Sequence, residues 1–376
     1  MTLDPSVRLI DSDVHHTWNS PEEVIQYLPK RWRDPIFAGR DDSLFPISAA
    51  ITSYPPAHGT NKRVDAYAAD GKAPGSDYET MRRQLLDPFP IDYVVLSYDI
   101  GGNAAVPNMY LASHLITAMN DWSIDRWLNR DDPRLRGALL VPTQIPEDGA
   151  KEVRRVGKHP KMAEVLLVAN GMSRPFGHPV YHPIYEAAVE LGLPVAIHNG
   201  GDQPAGTAQM SGGGMPNVRL EFHTVAPQGT IHHFMSFITH GVFEKYPELK
   251  LLLVEIGVSW VPWCLWTLDA HYRELQTESP WVKKLPSEYF RKHVRITTQP
   301  LEITPRKSEL IELLEAFGGM EDVLMFATDY PHWDADDPLY VSHRLPAAWL
   351  PKVFHETAEG FYGARRVTVQ PDMARH

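Results

Sequence analysis

Eight short runs rich in valine, isoleucine and leucine recur along this 376-residue chain. They fall at 7–14, 93–98, 137–141, 164–169, 194–198, 249–255, 294–298 and 323–328. Between them lie stretches with helical periodicity. Strand-length apolar runs alternating with helices predict a parallel sheet buried on both faces. Eight such units predict closure into a (β/α)8 TIM barrel rather than an open doubly wound sheet. No GxGxxG follows any run, which speaks against a dinucleotide-binding fold. The fold class is therefore α/β. Helices are legible at 185–191, stopped by Gly192, and over 234–246, running into Pro247.

At this length, with 43% hydrophobic residues, one barrel with insertions accounts for 1–376 as a single domain. The longest insertion, 34–87, follows the first strand and holds Pro55, Pro56, Gly59, Gly71 and Gly75. A loop that long is predicted to be functional, here a lid above the C-terminal face. A glycine-rich stretch, 200–216, would rim the same mouth. A helical segment at about 338–376 closes the chain.

The formal net charge is −11, without a basic run, so neither nucleic acid nor an anionic membrane surface is an expected partner. No apolar run reaches membrane-spanning length. Met1 to Ile10 lacks a signal-peptide core, and a cytoplasmic location is expected. The single cysteine, Cys264, allows no internal disulfide and reads as buried filler. Trp260, Trp263 and Trp266, three residues apart, form a stripe suited to core packing or a homodimer or related partner subunit.

Barrel enzymes carry their chemistry where strands end. The first strand ends Asp11-Ser12-Asp13-Val14-His15-His16. With a side-chain period of two, Asp13 and His15 share a side and can face one ion, while His16 points the other way unless the strand has ended. His16 is kept as a substrate contact. The fifth strand ends at His198 and the sixth at Glu255. The eighth leads into Thr328-Asp329-Tyr330-Pro331-His332. Mixed carboxylate and imidazole ligands suit zinc, manganese or iron at a site open to substrate. Asp13, His15, His198, Glu255 and Asp329 are the strand-end candidates to face one ion. Asp329, Glu255 and His332 are the predicted catalytic groups.

The segment Ile10-Asp11-Ser12-Asp13-Val14-His15 resembles the first-strand motif of the amidohydrolase superfamily. It is most similar to the branch related to aminocarboxymuconate-semialdehyde decarboxylase. His178-Pro179-Val180-Tyr181-His182-Pro183, with Val195 to His198, resembles that branch's fourth-to-fifth-strand block. Gly241 to Lys250, on to Glu255 and Trp260, resembles its next block. Phe326-Ala327-Thr328-Asp329-Tyr330-Pro331-His332 resembles its last-strand signature, and 356–363 its closing helix, with Thr357 where Asn is usual. The resemblance implies a divalent metal held by Asp13, His15, His198 and Asp329. Two positions depart from the decarboxylase prototype. Glu255 stands where it has a histidine that handles bound water. Asp13 is a carboxylate at the first ligand position, as in nonoxidative aromatic-acid decarboxylases.

The resemblance implies a metal-dependent enzyme acting on a small organic substrate. Hydrolysis of an amide or lactone is the first expectation, with zinc as the first metal. Nonoxidative decarboxylation of an aromatic or enoic acid is the alternative. That chemistry needs a further cation for the carboxylate, and Arg174, after the fourth strand, is the expected one. A dinuclear iron or manganese oxygenase on the same scaffold, and an inactive partner subunit, are the remaining readings.

Overall fold

A computed structural model describes residues 7–37, 61–99, 106, 108–168, 172, 174–199, 216 and 218–363. Eight strands form one parallel sheet in chain order. They are β1 (Leu9–His16), β2 (Ile91–Tyr98), β3 (Leu135–Leu140), β4 (Met162–Leu167), β5 (Val195–His198), β6 (Leu251–Val254), β7 (Val294–Thr297) and β8 (Leu324–Met325). β1 and the chain after β8 complete the cylinder. Ser12 N donates to Phe326 O at 2.9 Å, His15 N to Tyr330 O at 2.7 Å, and Asp329 N to Asp13 O at 3.0 Å. The (β/α)8 barrel expected from the apolar runs is the fold observed.

The strands are buried almost throughout because helices cover the outer face and side chains fill the lumen. The pairing of β1 with β2 shifts register between Asp11 and Val14. A bulge of this kind re-aims the side chains in and after it, here Asp13 within the shift and His15 just beyond. The predicted helix over 185–191 is observed as His182–Glu190. The predicted helix over 234–246 is broken in two, Pro227–Thr239 and Val242–Lys245. Gly241 between them has φ +73°, and a Cβ there would stand 2.4 Å from Trp281. A left-handed residue ends a helix, and proximity to Trp281 restricts the position to glycine.

Residues 38–60 of the insertion and 200–215 of the second predicted rim stretch lie outside the described residues, as does 364–376 at the C-terminal end. The described part of the insertion docks against the rim. Thr17 N donates to Gly75 O at 3.0 Å. A Cβ on Gly75, whose φ is +81°, would sit 2.8 Å from His15 O. At the opposite end, helix Thr357–Tyr362 plugs the barrel floor. Lys250, just before β6, donates to Phe361 O at 2.7 Å. Tyr362 Oη donates to Glu164 Oε2, inside β4, at 3.2 Å.

Glu164 is fully buried, and its other oxygen has no hydrogen-bond partner. Burial, with the charge of Asp13 above it, pushes its carboxyl up from 4.5 to about 8. The folded state therefore holds a proton there that the unfolded chain releases near 4.5. This contribution to stability is complete below about pH 4.5 and is lost as pH rises through about 8. Glu164→Gln is neutral at every pH. The melting temperature of the variant, relative to the natural protein, should rise by several degrees between about pH 5 and about pH 9. A constant difference would show that Glu164 is ionised in the fold.

The tryptophan stripe divides on helix Trp260–Leu275. Trp260 is buried in the core, while Trp263 and Trp266 are exposed at 61% and 50%. Cys264 is buried between them, as expected. Among the described residues, no helix is long and apolar enough to cross a membrane.

Candidate functional site

The strand ends bring the four predicted ligands together. Asp13 and His15 come from β1 and His198 from β5, while Asp329 follows β8. His15 Nε2 lies 2.9 Å from Asp329 Oδ1 and 3.5 Å from Asp13 Oδ2. His198 Nε2 lies 3.3 Å from His15 Nε2 and 3.5 Å from Asp13 Oδ2. All four side chains are buried.

Asp13, His15 and His198 each offer a ligand atom within 4.8 Å of the others, and His15 joins them to a second such group with Asp329 and His332. Asp13 Oδ1, Asp329 Oδ2 and His15 Nδ1 are buried without any hydrogen-bond partner. Orphaned buried polar atoms of this kind are rare and costly. A divalent cation held by Asp13 would satisfy its orphaned oxygen, and the donor set fits one. The electrostatics agree. Burial would raise the Asp13 carboxyl, yet the imidazoles of His15 and His198 hold it well below the usual range. Burial would lower His15, yet Asp13 and Asp329 hold it well above. His198 Nδ1 faces Asn199 O at 2.6 Å. The Nδ1–H donates there, which leaves the Nε2 lone pair aimed at the centre.

Asp329 sits at φ +58° and Glu255 at φ +59°, the non-glycine residues with positive φ among those described. Left-handed geometry at such residues is strained and gathers at functional sites. Asp11, one turn of the pleat below, holds the β8 end. Its carboxylate accepts from Thr328 N at 2.9 Å and Thr328 Oγ1 at 2.6 Å. The predicted catalytic groups flank the ligands. His332 Nδ1 is 2.5 Å from Asp329 Oδ1. Glu255 Oε2 is 3.5 Å from His198 Nε2. Burial, then the charges of Asp329 and Asp334, push Glu255 well above the usual carboxylate range. Glu255 also faces His223 and Asp334, one ligand atom from each lying within 4.8 Å of the others. Arg219 Nε donates to His223 Nε2 at 3.3 Å on this wall of the mouth.

Two predicted substrate contacts are not part of this group. His16 points into the layer between barrel and helices. Its Nδ1 meets Ser97 O at 2.6 Å and its Nε2 meets Ser123 Oγ at 2.7 Å. Tyr98, Trp122 and Trp127 pack around the ring, and burial lowers its pKa to about 4. The strand has not ended at His16, so alternation sends it outward. Arg174 is exposed and reaches His178 Nε2 at 3.0 Å. His178 in turn packs beside His240, past the far end of helix Pro227–Thr239. The chain after β4 runs down the outer helical layer, with Phe176 N donating to His233 Nδ1 at 3.0 Å, and carries Arg174 away from the mouth.

Sequence reasoning missed Asp99 and Lys62. Asp99 follows β2 directly, so the strand-end rule was enough to find it. Its Oδ1 stands 3.3 Å from His332 Nε2 and pairs with the Lys62 ammonium. Burial would raise the Asp99 carboxyl, but Lys62 and His332 hold it far below the usual range. Lys62 belongs to the long insertion, where no periodicity marks a contact.

The family model for amidohydrolases matches residues 10–364. Among curated proteins, gamma-resorcylate decarboxylase from Polaromonas sp. is 26% identical over 270 residues, covering 69% of this chain and 79% of that protein. Among solved structures, an amidohydrolase from Mycobacterium avium subsp. paratuberculosis aligns with a TM-score of 0.71 at 18% identity, over 96% of this chain and 100% of that one. The 5-carboxyvanillate decarboxylase of Novosphingobium aromaticivorans, with bound manganese, aligns with a TM-score of 0.65 at 19% identity, over 95% and 97%.

Proposed function

The chain belongs to the amidohydrolase family, and from that premise we propose that it is a divalent-metal-dependent decarboxylase of a hydroxylated aromatic acid. One observation carries this reading. Asp13, His15 and His198 form one buried group of possible metal ligands, with Asp329 2.9 Å from His15, in a chain whose curated relatives include gamma-resorcylate decarboxylases. Hydrolysis, the first expectation from the sequence, gives way to the alternative on those relatives. Zinc gives way to manganese, because hard carboxylate oxygens suit manganese and a structural relative binds it.

Asp13, His15, His198 and Asp329 would hold the ion. When bound, it supplies a positive anchor for the substrate carboxylate and its neighbouring hydroxyl. His332 and His15 hold the Asp329 carboxyl below its usual range, so Asp329 carries a proton only in transit and passes it from Oδ2, which has no hydrogen-bond partner, to the ring carbon bearing the carboxylate. A carbon–hydrogen bond forms there as the bond to the carboxylate breaks. The released electron pair restores the ring, and CO2 leaves. His332 Nδ1, against Asp329 Oδ1, steadies the acid and returns a proton to it. Glu255 and His223 wall the mouth on the β6 side.

The test is manganese-loaded protein offered hydroxybenzoates, lactones and N-acyl compounds in parallel. CO2 release from a hydroxybenzoate is the expected result. Lactone or amide cleavage without CO2 would overturn the reading in favour of hydrolysis, with Glu255 holding the attacking water. Two metal ions per chain would point to the dinuclear oxygenase, and metal-free, inert protein to the inactive subunit. Arg174→Ala should leave kcat/KM within about 2-fold, the scale of an ordinary surface substitution. A larger loss would return Arg174 to the substrate.

A further inference from the structure

The middle of the long insertion is stitched to the loop that carries His332. Residues 61–63 run antiparallel to 331–333. Trp333 N donates to Asn61 O at 2.9 Å and Arg63 N to Pro331 O at 3.0 Å, with Lys62 opposite His332. This backbone pairing delivers the Lys62 side chain, 7% exposed, to the Asp99 carboxylate at the end of β2. Asp99 Oδ1 is 3.3 Å from His332 Nε2, and His332 Nδ1 is 2.5 Å from Asp329 Oδ1. Four side chains from three distant segments thus stand in file: Lys62, Asp99, His332, Asp329.

An imidazole held at one nitrogen can still pivot about that bond; one held at both cannot. A carboxylate buried without a partner is costly, so Asp99 can serve as the outer anchor only with a counter-charge beside it. Lys62 supplies that charge, and the strap pairing fixes where it arrives. The inner nitrogen then engages Asp329 Oδ1 and leaves Oδ2 without a donor. We propose that Lys62 and Asp99 are positioning residues. They lock the His332 ring so that it holds Asp329 Oδ1 and presents Oδ2 to the substrate. The inference rests on the proposed role of Asp329 and adds a function for the insertion: its segment 61–63 sets the geometry of the proton donor.

The kinetics use full-length, manganese-loaded protein, and the resonance is read on the same full-length protein loaded with diamagnetic zinc, because manganese(II) broadens nearby protons beyond detection. The natural protein should show a low-field imidazole N–H proton resonance that His332→Gln lacks. In Asp99→Ala that resonance should shift or broaden. The kcat for hydroxybenzoate decarboxylation should fall about 10- to 100-fold, with KM within about 3-fold and metal content unchanged. Lys62→Arg, which keeps the charge, should retain the resonance. If Asp99→Ala folds poorly, the double variant Lys62→Met/Asp99→Ala removes both charges together and should show the same shift. An unchanged resonance in Asp99→Ala or in the double variant overturns the proposal, whatever the kinetics. The resonance is read without substrate. A natural protein that releases no CO2 would therefore sink the decarboxylase reading separately from the positioning role.

Discussion

Asp329→Asn should reduce turnover by about 10³-fold or more while leaving the barrel folded. Asn cannot hand over the proton that Asp329 Oδ2 is proposed to carry. The side chains are nearly the same shape, and the amide oxygen still accepts from His332 Nδ1 and lies against His15 Nε2, 2.5 and 2.9 Å away in the natural protein. Asp13, His15 and His198 remain to hold the ion at saturating manganese. The loss should therefore fall on kcat and on kcat/KM equally, because the missing interaction exists only in the transition state. Measuring kcat, KM and metal content on one preparation checks this. A variant with near-normal turnover would show that another group protonates the ring.

His198→Ala should weaken manganese binding by more than about 100-fold, since disturbing even the outer partners of a metal ligand costs 10–100-fold. His198 Nε2 faces both Asp13 and His15, and the anchor from Nδ1 to Asn199 O gives that aim its rigidity. A ligand that binds only the folded state stabilises it by about 2.7 kcal/mol at a hundred times its Kd. The natural protein should accordingly melt several degrees higher with manganese than after chelation. His198→Ala should melt at the same temperature with and without the ion. A variant that keeps the full metal-induced rise would remove His198 from the ligand set.

The barrel and the ligand group were legible because both rest on short-range rules. Apolar runs of strand length mark a buried parallel sheet, and a period of two places Asp13 and His15 on one side. The same period, applied strictly, sends His16 outward to Ser97 and Ser123. Arg174 misled because a loop after a strand was assumed to stay at the mouth. The contacts of Phe176 and Gly177 with His233 and Ser236 draw that segment down the outer layer instead. Lys62 was invisible for a different reason. Its role comes from a pairing between residues about 270 positions apart, which leaves no local pattern. Asp11 was read only as part of a motif, although its hold on Thr328 sets the entry to Asp329. The break at Gly241 turns on Trp281, a contact no helix rule contains.

Anomalous diffraction at the manganese edge, on crystals grown with the metal, puts the convergence of the four strand-end side chains to the most direct test. One peak per chain within coordination distance of Asp13, His15, His198 and Asp329 is the expected result. A sole peak elsewhere, such as among His223, Glu255 and Asp334, or no peak in protein that turns over substrate, would contradict it.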